Sequence, residues 1–238
     1  MCPGAISALG DATIKNDHTP PLAFFSTKEP SFEGGFSLLE LMIVVCIMLI
    51  ISSVMILNVQ SAVRGVRLSE SAANYANLLQ QARIRAVRDD RFYAVLAVTP
   101  VSGAPYAFVD IQGTGVLAPG DPMQVFATAV VPQPFASGPS LTNLKSQFLP
   151  PGASAQSTVN STLAGPTFGP RGLPCTPVAG AGGSTTCPYL TPPNFTPTSF
   201  ITFIQNTQSG KWQAVTVTPA GRIRQWAYDG TSAWSPLN

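Results

Sequence analysis

Apolar residues fill positions 36–57 with a single charged interruption: FSLLELMIVVCIMLIISSVMIL holds Glu40 and no other charge, and neither proline nor glycine. As a helix rising ~1.5 Å per residue, the run reaches ~33 Å, enough for the hydrocarbon core of a bilayer. Fourteen of its 22 residues are Leu, Ile, Val or Phe. Each favours insertion by ~0.3–0.6 kcal/mol, and together they outweigh the ~3 kcal/mol that one mid-bilayer charge costs. The run therefore predicts a transmembrane helix that carries a carboxylate. A secretory signal peptide has an apolar core of only ~7–15 residues followed by a small-residue cleavage site, which this run does not match. Helical periodicity also continues past it. In residues 58–90, Val59, Val63, Val66, Ala73, Ala76, Leu79, Ala82 and Val87 approximate one stripe at three- and four-residue steps. No proline lies between residues 32 and 99, so one helix of ~50 residues is expected, half in lipid and half amphipathic.

Beyond residue 90 the apolar period shortens to two. Six segments read as strands: RFYAVLAVT (91–99), PYAFVDIQ (105–112), MQVFATAVV (123–131), SFITFIQN (199–206), KWQAVTVT (211–218) and GRIRQWAY (221–228). NTQSG and PAG punctuate the last three as hairpin turns. Residues 132–198 hold 13 prolines and 8 glycines in 67 positions, too many prolines for continuous sheet, and read as an elaborated surface loop with at most one or two short strands. The expected fold class is α+β, a long N-terminal helix packed on a mostly antiparallel sheet. The expected divisions are a polar segment 1–35, the membrane half 36–57, the amphipathic half 58–90 and a β-rich domain 91–238.

Composition narrows the chemistry. Of 238 residues, 45% are hydrophobic and 10% charged, and the formal net charge of +2 is too small to name a partner. Segment 1–35 carries Lys15 and Lys28 against Asp11, Asp17, Glu29 and Glu33, so the positive balance belongs to the rest. The one histidine, His18, also lies there, leaving the remainder without an imidazole for general-base, triad or metal chemistry. Asp110, Asp121 and Asp229, the carboxylates beyond the helix and its end, are scattered, and no phosphate-loop or metal-spacing motif occurs. No cofactor, metal or enzymatic activity is expected. Cys175 and Cys187, twelve apart in the Pro/Gly-rich segment of an exported chain, most simply form one disulfide, with two free thiols as the alternative.

The stretch GGFSLLELMIVV resembles the type III signal of type IV pilins and pseudopilins. Gly35 matches the leader's last residue, Phe36 the aromatic first mature residue and Glu40 the glutamate at mature position five. The resemblance implies that residues 1–35 are a leader, that a membrane prepilin peptidase cuts between Gly35 and Phe36, and that Phe36 is N-methylated. It also implies that Glu40 of one subunit neutralises the Phe36 ammonium of a neighbour in a filament. The implied location is the bacterial inner membrane, single-pass with the globular domain in the periplasm, and then a filament. The implied partners are other pilins or pseudopilins and the inner-membrane assembly platform. Two features depart from the pattern: the leader is long and net acidic, and Leu57 stands where many major pilins have a proline.

The second half of the chain is similar to the GspH/FimT branch of minor pilins and pseudopilins, on NYANLLQQARIRAVRDDRFYAVL (74–96), TFGPRGLP (167–174) and VTVTPAGRIR (215–224). The branch is associated with DNA uptake through a Gly-Arg-x-Arg element, matched here by Gly221, Arg222 and Arg224. A strand through GRIRQWAY sets Arg222, Arg224, Trp226 and Tyr228 on one face. Guanidiniums beside aromatics suit phosphate contact and base stacking, with Lys211 and Arg171 as extensions and double-stranded DNA as the partner. The alternative is a solvated arginine face, with Trp226 and Tyr228 covering the core edge. Function thus divides between a minor pilin of a type IV pilus that contacts DNA and a GspH-like pseudopilin of a type II secretion system.

Overall fold

A computed structural model describes residues 35–134, 137–149, 154–157, 165–176, 178–179, 185–186 and 198–237. They belong to two compact units, Met1–Met48 and Leu49–Asn238. Helix α1, Leu38–Asp89, is 52 residues long and runs through the boundary between them. It ends where Asp90 takes a left-handed backbone, φ 52, and the Arg91 N–H returns to the Ala86 carbonyl at 3.2 Å. Among the described residues no helix is long and apolar enough to cross a membrane. The side chains at 54 and 56–58 lie outside the description, and the stretch ahead of them, residues 38–53, is shorter than the ~17–25 residues of a span.

Two sheets follow in the second unit, both built from antiparallel pairs apart from one short parallel strand. The first has the order β3-β2-β1-β6-β7, with β1 Tyr93–Val98, β2 Tyr106–Asp110, β3 Met123–Val125, β6 Thr167–Phe168 and β7 Pro174–Cys175. The second has the order β13-β12-β11-β10-β4, with β4 Val130–Gln133, β10 Thr198–Asn206, β11 Trp212–Val217, β12 Ile223–Tyr228 and β13 Trp234–Leu237. Strand β5, Ser154–Ser157, adds to β10 in parallel, and β8 Val178–Ala179 pairs with β9 Thr185–Thr186 apart from both sheets. The fold is α+β. The two expected hairpin turns are present. Asn206 Oδ1 accepts the Gln208 and Ser209 N–H groups at 3.0 Å each in the first, and the Gly221 N–H reaches the Thr218 carbonyl at 2.8 Å in the second.

The buried stripe of α1 keeps Ala76, Leu79 and Ala82 of the expected one and departs from it elsewhere. Leu68, Ala72, Tyr75, Leu79, Ala82 and Ala86 are buried, at alternating steps of four and three, whereas Val59, Val63, Val66 and Val87 are exposed. Three alanines in the stripe let the strands approach the helix closely, and the β-branched residues fall on the other side. The stripe packs with Val95 and Val109 of the first sheet and with Phe200, Ile204, Val215 and Val217 of the second. Tyr75 crosses this core to share a hydrogen bond with Thr202 Oγ1 at 3.0 Å, and Asn206 Nδ2 donates to the Arg64 carbonyl at 3.2 Å.

Three further expectations are corrected. The segment 123–131 is not one strand: it breaks at Ala129, φ 65, and the Val130 N–H turns back to the Ala127 carbonyl at 2.9 Å, so β3 and β4 enter different sheets. The segment 132–198 is not only loop. It contributes helix α2, Thr142–Phe148, whose Leu144 and Phe148, with Leu141 just ahead, form a second core against Ile201, Phe203, Ala214, Trp226 and Trp234. The second sheet is therefore covered on both faces. The last strand, β13, is not among the six expected segments; its WSPL carries a proline, which an edge strand tolerates.

The β12–β13 turn is organised by Asp229. Its Oδ1 accepts the Thr231 N–H at 2.8 Å and the Ser232 and Ala233 N–H groups at 3.0 Å each, and its Oδ2 accepts the Thr231 hydroxyl at 2.8 Å. Those bonds, the Thr231 N–H foremost, lower its pKa to about 2 from 3.8. A carboxylate depressed on folding stabilises the native state above its unfolded pKa, and that contribution is lost as pH falls from 3.8 through about 2. Acid unfolding followed by tryptophan fluorescence should show this loss. D229N, which keeps an acceptor but no charge, should flatten the profile in that window.

Candidate functional site

At the head of α1, residues 35–37 are non-helical and exposed, so the Gly35–Phe36 peptide bond stands ahead of the first helical turn. Phe36 is 81% exposed. Ser37 starts the helix: its Oγ accepts the Leu39 N–H at 3.3 Å and its carbonyl the Leu41 N–H at 3.1 Å. Glu40 is exposed in the first turn, where the helix dipole favours an anion.

The second constellation is organised by a residue that the sequence did not single out. Arg83 of α1 donates from Nε to the Gly172 carbonyl at 3.0 Å and from Nη1 to the Gly221 carbonyl at 2.9 Å. Gly172 belongs to the β6–β7 connection and Gly221 to the β11–β12 turn, so one guanidinium joins helix and both sheets. The three segments 74–96, 167–174 and 215–224 meet at this point. Gly221 has φ +78, and a Cβ there would stand 2.7 Å from the Gly172 carbonyl oxygen and 3.2 Å from Arg83 Cζ. Its glycine identity thus has a local cause, namely a left-handed turn against a neighbouring backbone.

Around this staple the chain places Arg171 and Arg222, each adjoining one of the two touching glycines and each exposed. Arg222 and Arg224 line a groove of about 420 Å³ between α1 and the β12–β13 edge, with Asn77 and Gln80 of the helix and Gln225 of β12. No acidic side chain among the described residues lines it. Lys211 is not brought there: it lines a separate groove of about 720 Å³ with Trp212, Tyr228 and Asp229. Trp226 is also removed from the expected set. It is 0% exposed, sealed under α2, with Nε1 donating to Thr216 Oγ1 at 2.8 Å. The side chains do alternate as expected, but α2 covers the face on which the aromatic one lies. Tyr228 spends its hydroxyl on the Thr231 carbonyl at 2.9 Å and sets its ring against Trp234, tilted by 45° with centroids 5.0 Å apart.

Cys175 is disulfide-bonded. Its expected partner, Cys187, lies outside the described residues, as do residues 1–34, where the expected leader falls. Among the described residues no cluster of His, Cys, Asp or Glu is placed to hold a metal. The described residues that line the groove offer cations and amides, which suits binding of an anion. No protein-family model matches the chain, and no curated protein or solved structure matches it either.

Two substitutions separate scaffold from surface. Gly221→Ala adds about 1–2 kcal/mol of left-handed strain to the displacement of Gly172, and Arg83→Lys forfeits one arm of the fork. Both should lower the thermal midpoint. Trp226→Ala should cost about 3–5 kcal/mol of stability as a core truncation, measured by urea unfolding.

Proposed function

We propose that this protein is a minor subunit of a type IV pilus, of the GspH/FimT kind. In this reading, prepilin peptidase cuts after Gly35 and Phe36 is N-methylated. The run 36–57 anchors the chain in the bacterial inner membrane with the β-rich part in the periplasm, and the subunit then polymerises with other pilins through the assembly platform. The observation that carries the reading is the head of α1: an exposed, non-helical Gly35–Phe36 bond, followed at once by a helix with Glu40 in its first turn and an apolar surface behind it.

Cleavage would create an ammonium on Phe36, with Glu40 about 6 Å further along the helix by rise. Both charges seek partners in lipid, because an unpaired charge there is costly. A pair between neighbouring subunits adds little net stability, but it fixes axial register, since a slipped register strands two charges. The exposed valines of the amphipathic half, Val59, Val63 and Val66, add an unpartnered apolar face suited to helix–helix packing.

The groove favours the DNA-contacting pilus over the pseudopilin of a type II secretion system. Arg222 and Arg224 line it with no acidic side chain among the described lining residues, and Arg171 stands beside the same staple. Binding of duplex DNA through so few cations is weak, independent of sequence and steeply reduced by salt, with a log–log slope of about −0.9 per phosphate neutralised.

Glu40→Ala should insert and be cleaved but be missing from sheared filaments; normal incorporation would contradict the register role. R222Q/R224Q should lose about two from the salt slope of duplex binding. A wild-type chain that leaves duplex DNA unshifted at low salt would move the assignment to the secretion pseudopilin.

A further inference from the structure

The groove beside Arg222 and Arg224 has a second wall. Asn77 and Gln80 stand three residues apart on α1, hence on one helix face, and Gln225 belongs to β12 itself, paired with Leu237 of β13. Neither Asn77 nor Gln80 makes a side-chain hydrogen bond to any described residue, and the same holds for Gln225, Arg222 and Arg224. Among the described residues, then, the groove is lined by five residues whose side-chain N–H donors are unused. We infer that Asn77 and Gln80 are ligand contacts. The phosphate-bearing strand lies lengthwise between α1 and the β12–β13 edge, with its phosphates on the guanidiniums and the helix amides donating to its phosphate or sugar oxygens. This rests on the DNA-contact reading above and adds the helix to it.

The chemistry of the lining defines the ligand further. Side-chain amides donate to phosphate and sugar oxygens as arginines do, without contributing charge. No aromatic residue among the described ones lines the groove, whereas proteins that hold unpaired strands gain much of their affinity from bases stacked on exposed aromatic rings. The groove therefore recognises backbone and not bases. A duplex, whose phosphates face outward, satisfies it as well as an unpaired strand of equal length does, and base composition does not alter the affinity.

The test uses the full chain in detergent and a fluorescent duplex, with anisotropy read across a salt series. N77A/Q80A should weaken binding about tenfold at fixed salt, as expected for two lost solvent-exposed hydrogen bonds of ordinary net strength. Its log–log salt slope should equal that of the wild type, because no cation is removed. R222Q/R224Q should instead flatten the slope. N77D/Q80E, which puts carboxylates into the same wall, should abolish binding while retaining the native thermal midpoint. Wild-type affinity in N77A/Q80A alongside lost affinity in R222Q/R224Q would overturn the helix contacts and leave the arginine reading intact. Absence of binding by the wild-type chain would overturn both. A preference for single strands over the duplex would overturn the backbone-only recognition.

Discussion

The Arg83 guanidinium receives two backbone carbonyls that arrive from different sheets, Gly172 from the first and Gly221 from the second, while its own backbone belongs to the helix on which both sheets pack. A planar fork with several fixed donors can satisfy two such acceptors at once, which a lysine cannot. A hydrogen bond from a charged donor is stronger than a neutral one, and here each ends on a carbonyl of a turn. The consequence reaches the surface: Arg171 and Arg222 are the sequence neighbours of the two glycines, so their backbones are positioned by the same contact. The cationic rim is thus a by-product of the way the sheets are joined.

Much of the architecture is legible in the sequence because it rests on local rules. An uninterrupted helix from Leu38 to Asp89 follows from the absence of proline, and the strands around residues 93–98, 106–110 and 198–228 follow from period-two alternation bounded by turn residues. What escapes depends on partners distant in sequence. The valines at 59, 63 and 66 look like the core stripe, yet the sheets select the alanine-containing face because its small side chains permit close approach. Trp226 looks like a surface aromatic on an arginine strand, yet helix α2 covers it, and α2 forms within a segment whose proline content argued against regular structure. Arg83 itself gives no local signal: an arginine flanking a buried stripe looks solvated until two carbonyls are found waiting for it.

The same division separates the two functional features. The head of α1 is described by short-range facts: a non-helical bond, a serine that begins the helix, and a carboxylate in the first turn near the positive end of the dipole. The groove depends on long-range packing, since Asn77 and Arg222 meet only when helix and hairpin are docked. An apolar run bearing one acid has a purpose if processing supplies the matching amine, and a low-charge domain can still touch a polyanion if its few cations are gathered away from acids.

The central claim is that proteolysis turns an anchored precursor into a polymer subunit whose new amine pairs with Glu40. The most direct measurement is the mass and terminal sequence of the mature polypeptide recovered from cell membranes. The account predicts a chain that begins at Phe36 and carries an N-methyl group. A mature chain beginning at any other residue, or an uncut precursor in cells with an active prepilin peptidase, would contradict it.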